Sequence, residues 1–235
     1  MEDIRVKNKM IIIPIGPPGS GKDTQAELLA GKLNLFNLET SEVIEKNFAN
    51  AKKGDFVPIK GKKYFIEDEK KLRISGKLMS PPLITFWIKN KIIELAKEQK
   101  GIVITGSPRT LYEGKELVPL FKKIYGTKNV KVISIEVSEK ESAWRNTHRK
   151  TCELMRHTIL FNKETTKLKK CPFDGSKLTV RKYDNPKVIK IRLKEYQERT
   201  FPLIEYFKKE GLTVKKVNGS PSPADVFKNV LKALK

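Results

Sequence analysis

Residues 16–24 read Gly-Pro-Pro-Gly-Ser-Gly-Lys-Asp-Thr, the spacing G-x-x-x-x-G-K-x-T. That spacing suits a backbone that must close around a polyphosphate. Gly16, Gly19 and Gly21 let successive amides turn inward on an anion, and a helix starting at this point brings the positive end of its dipole. Lys22 is then set to reach the β- and γ-phosphates, and Thr24 to stand beside Mg²⁺. An ordinary Gly/Pro-rich strand–helix turn is the competing reading. The complete pattern, directly after the apolar run at 10–15, favours the phosphate loop, with Gly19, Ser20, Gly21, Lys22, Asp23 and Thr24 as its anion-facing part. Such a loop indicates a nucleotide phosphate without naming a reaction.

A second group narrows the chemistry. Arg109 lies in the segment Gly-Ser-Pro-Arg-Thr at 106–110, and Arg145, Arg149, Arg181 and Arg192 follow downstream. Phosphoryl transfer requires cations that converge on oxygens whose charge shifts between donor and acceptor. The planar guanidinium fork pairs bidentately with phosphate, so Arg→Lys at such positions is not conservative. Most arginines merely decorate a surface. This chain otherwise uses lysine, however, and its arginines gather near strand ends and around the two cysteines, which favours function.

The elements that must position these groups alternate strand and helix. Strands are expected at 10–15, 35–38, 101–106, 130–137 and 212–217. Helices are expected from the phosphate loop to about 34 and at 83–98, 139–149, 186–209 and 224–234. Alternation of this kind predicts a parallel sheet covered on both faces. Two stretches break the pattern: a polar, lysine-rich one at 50–75 and one at 150–181 that holds both cysteines. The 235 residues are ample for one core. No run of 18 apolar residues exists, so a membrane span is not expected and the cytoplasm is the default location. Lys and Arg number 49 against 27 Asp and Glu, a formal charge of +22. The lysines are scattered, so a polyphosphate-handling monomer is expected rather than a specific nucleic-acid binder.

With these segments in view, the chain resembles the adenylate kinases of the nucleoside monophosphate kinase family over nearly its whole length. GPPGSGKDTQA at 16–26 resembles the family's GAPGAGKGTQA, LETSEVI at 38–44 its STGD-type segment, and GKLMSPPLI at 76–84 its GKLV-type segment. TGSPRT at 105–110 resembles DGFPRT, IRLKEYQERTFPLIEYF at 191–207 the arginine-bearing helix after the lid, and VNGSPSPADV at 217–226 the C-terminal VDG-type turn. The resemblance implies a P-loop three-layer α/β fold. A five-stranded parallel sheet is flanked by helices, with an acceptor-binding helical insertion and a lid. It divides the chain into core (1–39), acceptor region (40–100), core (101–149), lid (150–181) and core (182–235). It implies transfer of the ATP γ-phosphoryl to a nucleoside monophosphate, most simply AMP, with Mg²⁺. Lys22 and the loop would hold the donor phosphates, and Arg145 would stack on the donor base. Arg149, Arg181 and Arg192 would surround the moving phosphoryl, and Arg109 would grip the acceptor phosphate. Thr40, Lys77, Leu78, Met79 and Gly106 would line the acceptor base pocket.

Several positions depart from the family's pattern. Glu45 stands where an arginine helps to hold the AMP phosphate, Thr105 where an aspartate orders metal waters, and Asp23 where glycine is usual. Glu113 replaces the glutamine that reads adenine; a carboxylate there accepts but cannot donate, which suits a guanine edge. Lys70, Lys71 or Arg73 is expected to supply the missing acceptor-side cation. These changes keep two alternatives open, a nucleotide sensor without turnover and a kinase for another acceptor such as GMP.

Cys152 and Cys171 fall in the implied lid. Cys171 and Asp174 have the C-x₂-D spacing, and Cys152 is followed by Met155 where a second ligand would stand, then by His157. Cys152, His157, Cys171 and Asp174 make a four-ligand set suited to a structural Zn²⁺ that would stabilise a flap with little core of its own. Reduced thiols and a disulfide are the competing readings, and His148 is the alternative histidine.

Overall fold

The computed structural model describes residues 9–155, 158–159, 164–180 and 185–235. Ile11–Ile15 (β1) is buried at every residue, as an unbroken isoleucine-rich strand covered on both faces must be. It feeds the glycine turn and Lys22–Leu33 (α1), which ends on Asn34 in the left-handed region. Phe36–Glu39 (β2) runs straight into Thr40–Ala49 (α2). The polar stretch after it is structured: Phe56–Ile59 (β3) and Lys62–Phe65 (β4) pair as an antiparallel hairpin, followed by Ile66–Ile74 (α3). Pro81–Lys97 (α4) starts with proline in its first turn, where no amide partner is lost.

Ile102–Thr105 (β5) leads to Leu111–Tyr125 (α5), a helix that the sequence reading leaves out. Val130–Glu136 (β6) leads to Glu139–His148 (α6), capped by the Ser138 hydroxyl. A small three-stranded sheet follows, made of Lys150–Cys152 (β7), Thr158–Ile159 (β8) and Leu178–Thr179 (β9), with β7 central. Pro186–Glu195 (α7), a π-helical turn at Tyr196–Thr200 and Leu203–Lys209 (α8) replace the single long helix expected over 186–209. Pro202 is the cause. It has no N–H to donate and its ring crowds the carbonyl four residues back, so the helix widens by one residue, with Phe201 N–H on the Tyr196 carbonyl at 2.8 Å, and then resumes. Val214–Asn218 (β10) and Pro223–Leu234 (α9) complete the chain.

The main sheet has the order β10-β6-β1-β5-β2, and all its pairings are parallel. Alternation along β1 sends Ile11, Ile13 and Ile15 into one core with Leu83, Ile88, Leu117, Phe121 and Phe207. Ile12 goes into the other, with Ala26, Leu29, Val103, Ile133 and Val230. This is the predicted α/β three-layer architecture. Strand order reverses at β1, between β5 and β6. In open parallel sheets, ligands settle outside the carboxyl ends of the strands at that point. The glycine turn emerges there.

Candidate active site

The phosphate loop is clamped from beneath by α6. The Ser142 hydroxyl donates to the Pro18 carbonyl, and Asn146 Nδ2 donates to the Ser142 carbonyl at 2.7 Å. Gly19 has φ +79°, and a Cβ there would stand 2.5 Å from Asn146 Nδ2, so the close approach demands glycine. Ser20 is 1% exposed, and its hydroxyl has no hydrogen-bond partner among the described residues. Gly21 (φ +89°) starts α1 and leaves open space over the turn, and Gln25 N–H closes onto the Gly21 carbonyl at 2.9 Å.

Lys22 follows, with its side chain only 11% exposed and its Nζ 3.8 Å from Asp23 Oδ2. Burial pushes its ammonium down to about 8; Asp23 acts the other way, and Arg109, Arg192 and Arg149 push it further down. Three guanidiniums from distant parts of the chain (the loop before α5, the end of α6 and α7) thus bear on one ammonium at the head of α1. Such a gathering of positive charge suits an anion. Arg181 lies outside the described residues.

Arg145 is pinned on α6. Its Nη1 donates to the Gly219 carbonyl at 3.0 Å and its Nη2 to the Ser220 carbonyl at 3.1 Å, and Glu141 Oε1 lies 2.6 Å away. Ser220 Oγ returns a bond to Glu141 Oε2 at 2.6 Å. The turn after β10 therefore reaches both α6 and the phosphate loop, where a Cβ on Gly219 would come within 3.0 Å of the Ser20 carbonyl.

On the other side, Thr40 Oγ1 donates to the Thr105 carbonyl at 2.8 Å. Gly106 (φ +85°) packs against Thr40, and a Cβ there would lie 2.9 Å from Thr40 Cβ and 3.5 Å from Arg109 Nη2. Thr40, Gly106 and Arg109 are thus brought together. Leu78 N–H donates to Glu195 Oε2 at 3.3 Å, and Met79 is buried while Lys77 is exposed.

Glu113, expected at the acceptor base, has its carboxylate engaged within the protein. Its carboxylate is 3% exposed and accepts from Ser107 Oγ at 2.6 Å, Arg109 N–H at 3.1 Å and Thr110 Oγ1 at 3.0 Å. Burial raises its pKa, opposed by these same bonds. These bonds tie the Arg109 loop to the first turn of α5. The spacing Thr110-x-x-Glu113 is that of a capping box, a signal in the sequence that points to this use.

Glu45, the unexpected anion on α2, is paired with Arg73 on α3, Nη2 to Oε1 at 2.7 Å, and the guanidinium lies 5.8 Å from the Phe48 ring centroid. Of the three cations considered, Lys71 engages Asp68 at 2.9 Å and Lys70 lies over Phe48 at 5.4 Å. Only Arg73 reaches Glu45.

In the small sheet, Cys152, Cys171 and Asp174 offer ligand atoms within 4.8 Å of one another. Cys152 Sγ donates to Asp174 Oδ2 at 3.0 Å, which holds that carboxyl well below its usual range. Ser176 steadies the other oxygen through its N–H at 2.9 Å and its hydroxyl at 2.8 Å. Both thiols are buried with Ile159, beside Leu168 and Leu178. Two sulfurs and a hard oxygen converging on one point fit Zn²⁺. His157 lies outside the described residues. His148 is stacked on Trp144 at 4.9 Å, with Nδ1 2.8 Å from the Trp144 carbonyl.

The family model for adenylate kinase matches residues 14–212. The chain belongs to the adenylate kinase family. It is 33% identical over 230 residues to the adenylate kinase of Mycoplasma capricolum subsp. capricolum, across 96% of this chain and all of the relative. It is 31% identical over 228 residues to that of Chlamydia abortus, across 97% and 99% of the two chains. The adenylate kinase of Methanothrix thermoacetophila gives 30% over 226 residues, 96% and 98% of the two. This family member is a nucleoside monophosphate kinase. Among its described residues no helix is long and apolar enough to cross a membrane.

Proposed function

We propose that this enzyme moves the γ-phosphoryl of ATP to AMP, with the loop at 19–24 and Lys22 on the donor phosphates and Arg109 on the acceptor phosphate. The observation that carries the reading is the convergence of Arg109, Arg149 and Arg192 on the buried Lys22 ammonium. The three guanidiniums bear unfavourably on the ammonium, Asp23 offsets this in part, and a bound polyphosphate would offset the rest. A binding-only protein gains nothing from an arginine set reaching the acceptor side.

An acceptor phosphate oxygen attacks the γ-phosphorus while the β–γ bridging oxygen leaves. The side chains do no covalent chemistry. They hold both nucleotides in line and meet charge as it moves from one to the other. Arg149, Arg181 and Arg192 belong around the transferred group, and Arg145, fixed by Glu141 and the 218–220 turn, presents its guanidinium plane to the donor base. Lys77, Leu78 and Met79, with Thr40 and Gly106, line the acceptor base pocket. Arg73 takes over the acceptor-side cation, and Glu45 orients it rather than repelling the phosphate. Mg²⁺, when bound, offsets donor phosphate charge, and Thr24 at the head of α1 is the hydroxyl placed to hold it.

Residues 150–181 act as the lid, and Cys152, Cys171 and Asp174 with His157 would hold one Zn²⁺. The role is structural, because four protein ligands leave no open position. The protein works as a soluble cytoplasmic monomer. The test is a coupled assay of ADP formation from Mg-ATP with AMP, GMP, CMP, UMP and dTMP in turn. AMP is expected to give the highest kcat/KM; equal or faster turnover with GMP would overturn the acceptor assignment.

A further inference from the structure

The π-helical turn Tyr196–Thr200 joins a contact to the 76–79 segment and a contact to the Arg109 loop. At its start, Glu195 Oε2 accepts the Leu78 N–H at 3.3 Å and is steadied by Arg199 Nη1 at 2.9 Å. At its end, Thr200, 5% exposed, donates its hydroxyl to the Arg109 carbonyl at 2.8 Å. One turn earlier, α7 presses on Gly76. A Cβ at that glycine (φ +84°) would lie 2.8 Å from Val188 Cγ1 and 3.4 Å from Arg192 Cγ. The helix that carries Arg192 is therefore seated against both the 76–79 segment and the Arg109 loop.

The π geometry matters for this seating. One extra residue in a helical turn shifts the phase of everything after it by about 100°. Glu195 and Thr200 sit five residues apart and contact different segments. Arg109 is held through its N–H by Glu113 and through its carbonyl by Thr200.

We propose that the π-helical turn is the positioning device of the acceptor site, with Thr200 the positioning residue that sets Arg109 against the acceptor phosphate. This rests on the acceptor roles given above to Arg109 and to Leu78. Thr200 touches no substrate. It acts through the Arg109 backbone, and it leaves the donor loop alone.

The experiment compares Thr200→Val, which keeps the shape and removes the donor, with Thr200→Ser, which restores it. Initial rates are measured with each nucleotide varied in turn, together with thermal midpoints. Thr200→Val is expected to raise the acceptor KM about five- to tenfold, the scale of one lost hydrogen bond, with the ATP KM within about twofold. Thr200→Ser should return the acceptor KM to within about twofold of the unaltered enzyme. An unchanged acceptor KM in Thr200→Val overturns the proposal. So does an equal rise in both KM values, which is what loosened packing alone would give. If Thr200→Val does not fold, Glu195→Ala tests the other arm of the turn, with the same rise expected for the acceptor alone and the same overturning results. Absence of turnover in the unaltered enzyme with every monophosphate would instead overturn the phosphotransferase reading itself.

Discussion

Lys22→Met should stabilise the unliganded protein while abolishing its activity. The ammonium is pushed from 10.5 down to about 8, chiefly by burial and further by three arginines. That displacement corresponds to an upper bound of about 3 kcal/mol held against the folded state. That net displacement already includes the opposing Asp23 contact; relaxation and water around the charge reduce the gain to on the order of 1–2 kcal/mol, or about 2–8 °C in thermal midpoint for a chain of this size. The sign with pH is specific. Below pH 8 the lysine is charged in both states and the full penalty is present. Between 8 and 10.5 the unfolded chain binds the extra proton, so stability of the lysine form rises and the advantage of methionine shrinks. Calorimetry at pH 6.5 and 9.5 reads both effects, and kcat should fall on the order of 10²–10³-fold from lost charge stabilisation. A variant less stable at pH 6.5, or a stability gap that does not narrow by pH 9.5, would contradict a buried, charge-crowded Lys22.

The same titration predicts that kcat/KM for ATP falls as pH rises through about 8, and that Asp23→Asn moves this fall to lower pH, since Asp23 raises the Lys22 value. Arg73→Ala should raise the acceptor KM about tenfold by leaving Glu45 as a bare anion, and Arg73→Ala with Glu45→Ala should recover part of the loss; steady-state kinetics on both variants checks this. Glu113→Gln should cost about 1–3 kcal/mol in chemical denaturation, because an amide cannot accept all three donors, without shifting the preference between AMP and GMP. Elemental analysis should find one zinc per chain, and Cys171→Ser should lose it together with part of the thermal stability, leaving the intrinsic phosphoryl-transfer rate of the folded enzyme nearly unchanged.

The phosphate loop was legible because everything that makes it lies within nine residues, and β1, β5 and β6 because strands buried on both faces are simply apolar. α5 was hidden by Pro119, which reads as a breaker. It is tolerated because it lies on the exposed side, where water satisfies the freed carbonyl. The β3–β4 hairpin gives no alternating pattern, since Val57, Ile59 and Tyr64 face the core while Phe56 and Phe65 are exposed on the other side. Glu113 was assigned by its position in a motif, but burial and three nearby donors decide where a carboxylate points. Arg73 and Glu45 stand 28 residues apart on two helices, so their pairing exists only in the folded chain.

The arginines around Lys22 are proposed to serve a reaction between two nucleotides. The most direct measurement is the rate of ADP formation by the purified enzyme from Mg-ATP and AMP, with Arg109→Ala in parallel. Rapid turnover is expected, and for Arg109→Ala a large loss that falls on the acceptor kinetics. An enzyme that binds ATP but forms no ADP with any monophosphate, or an Arg109→Ala variant indistinguishable from the unaltered chain, would contradict it.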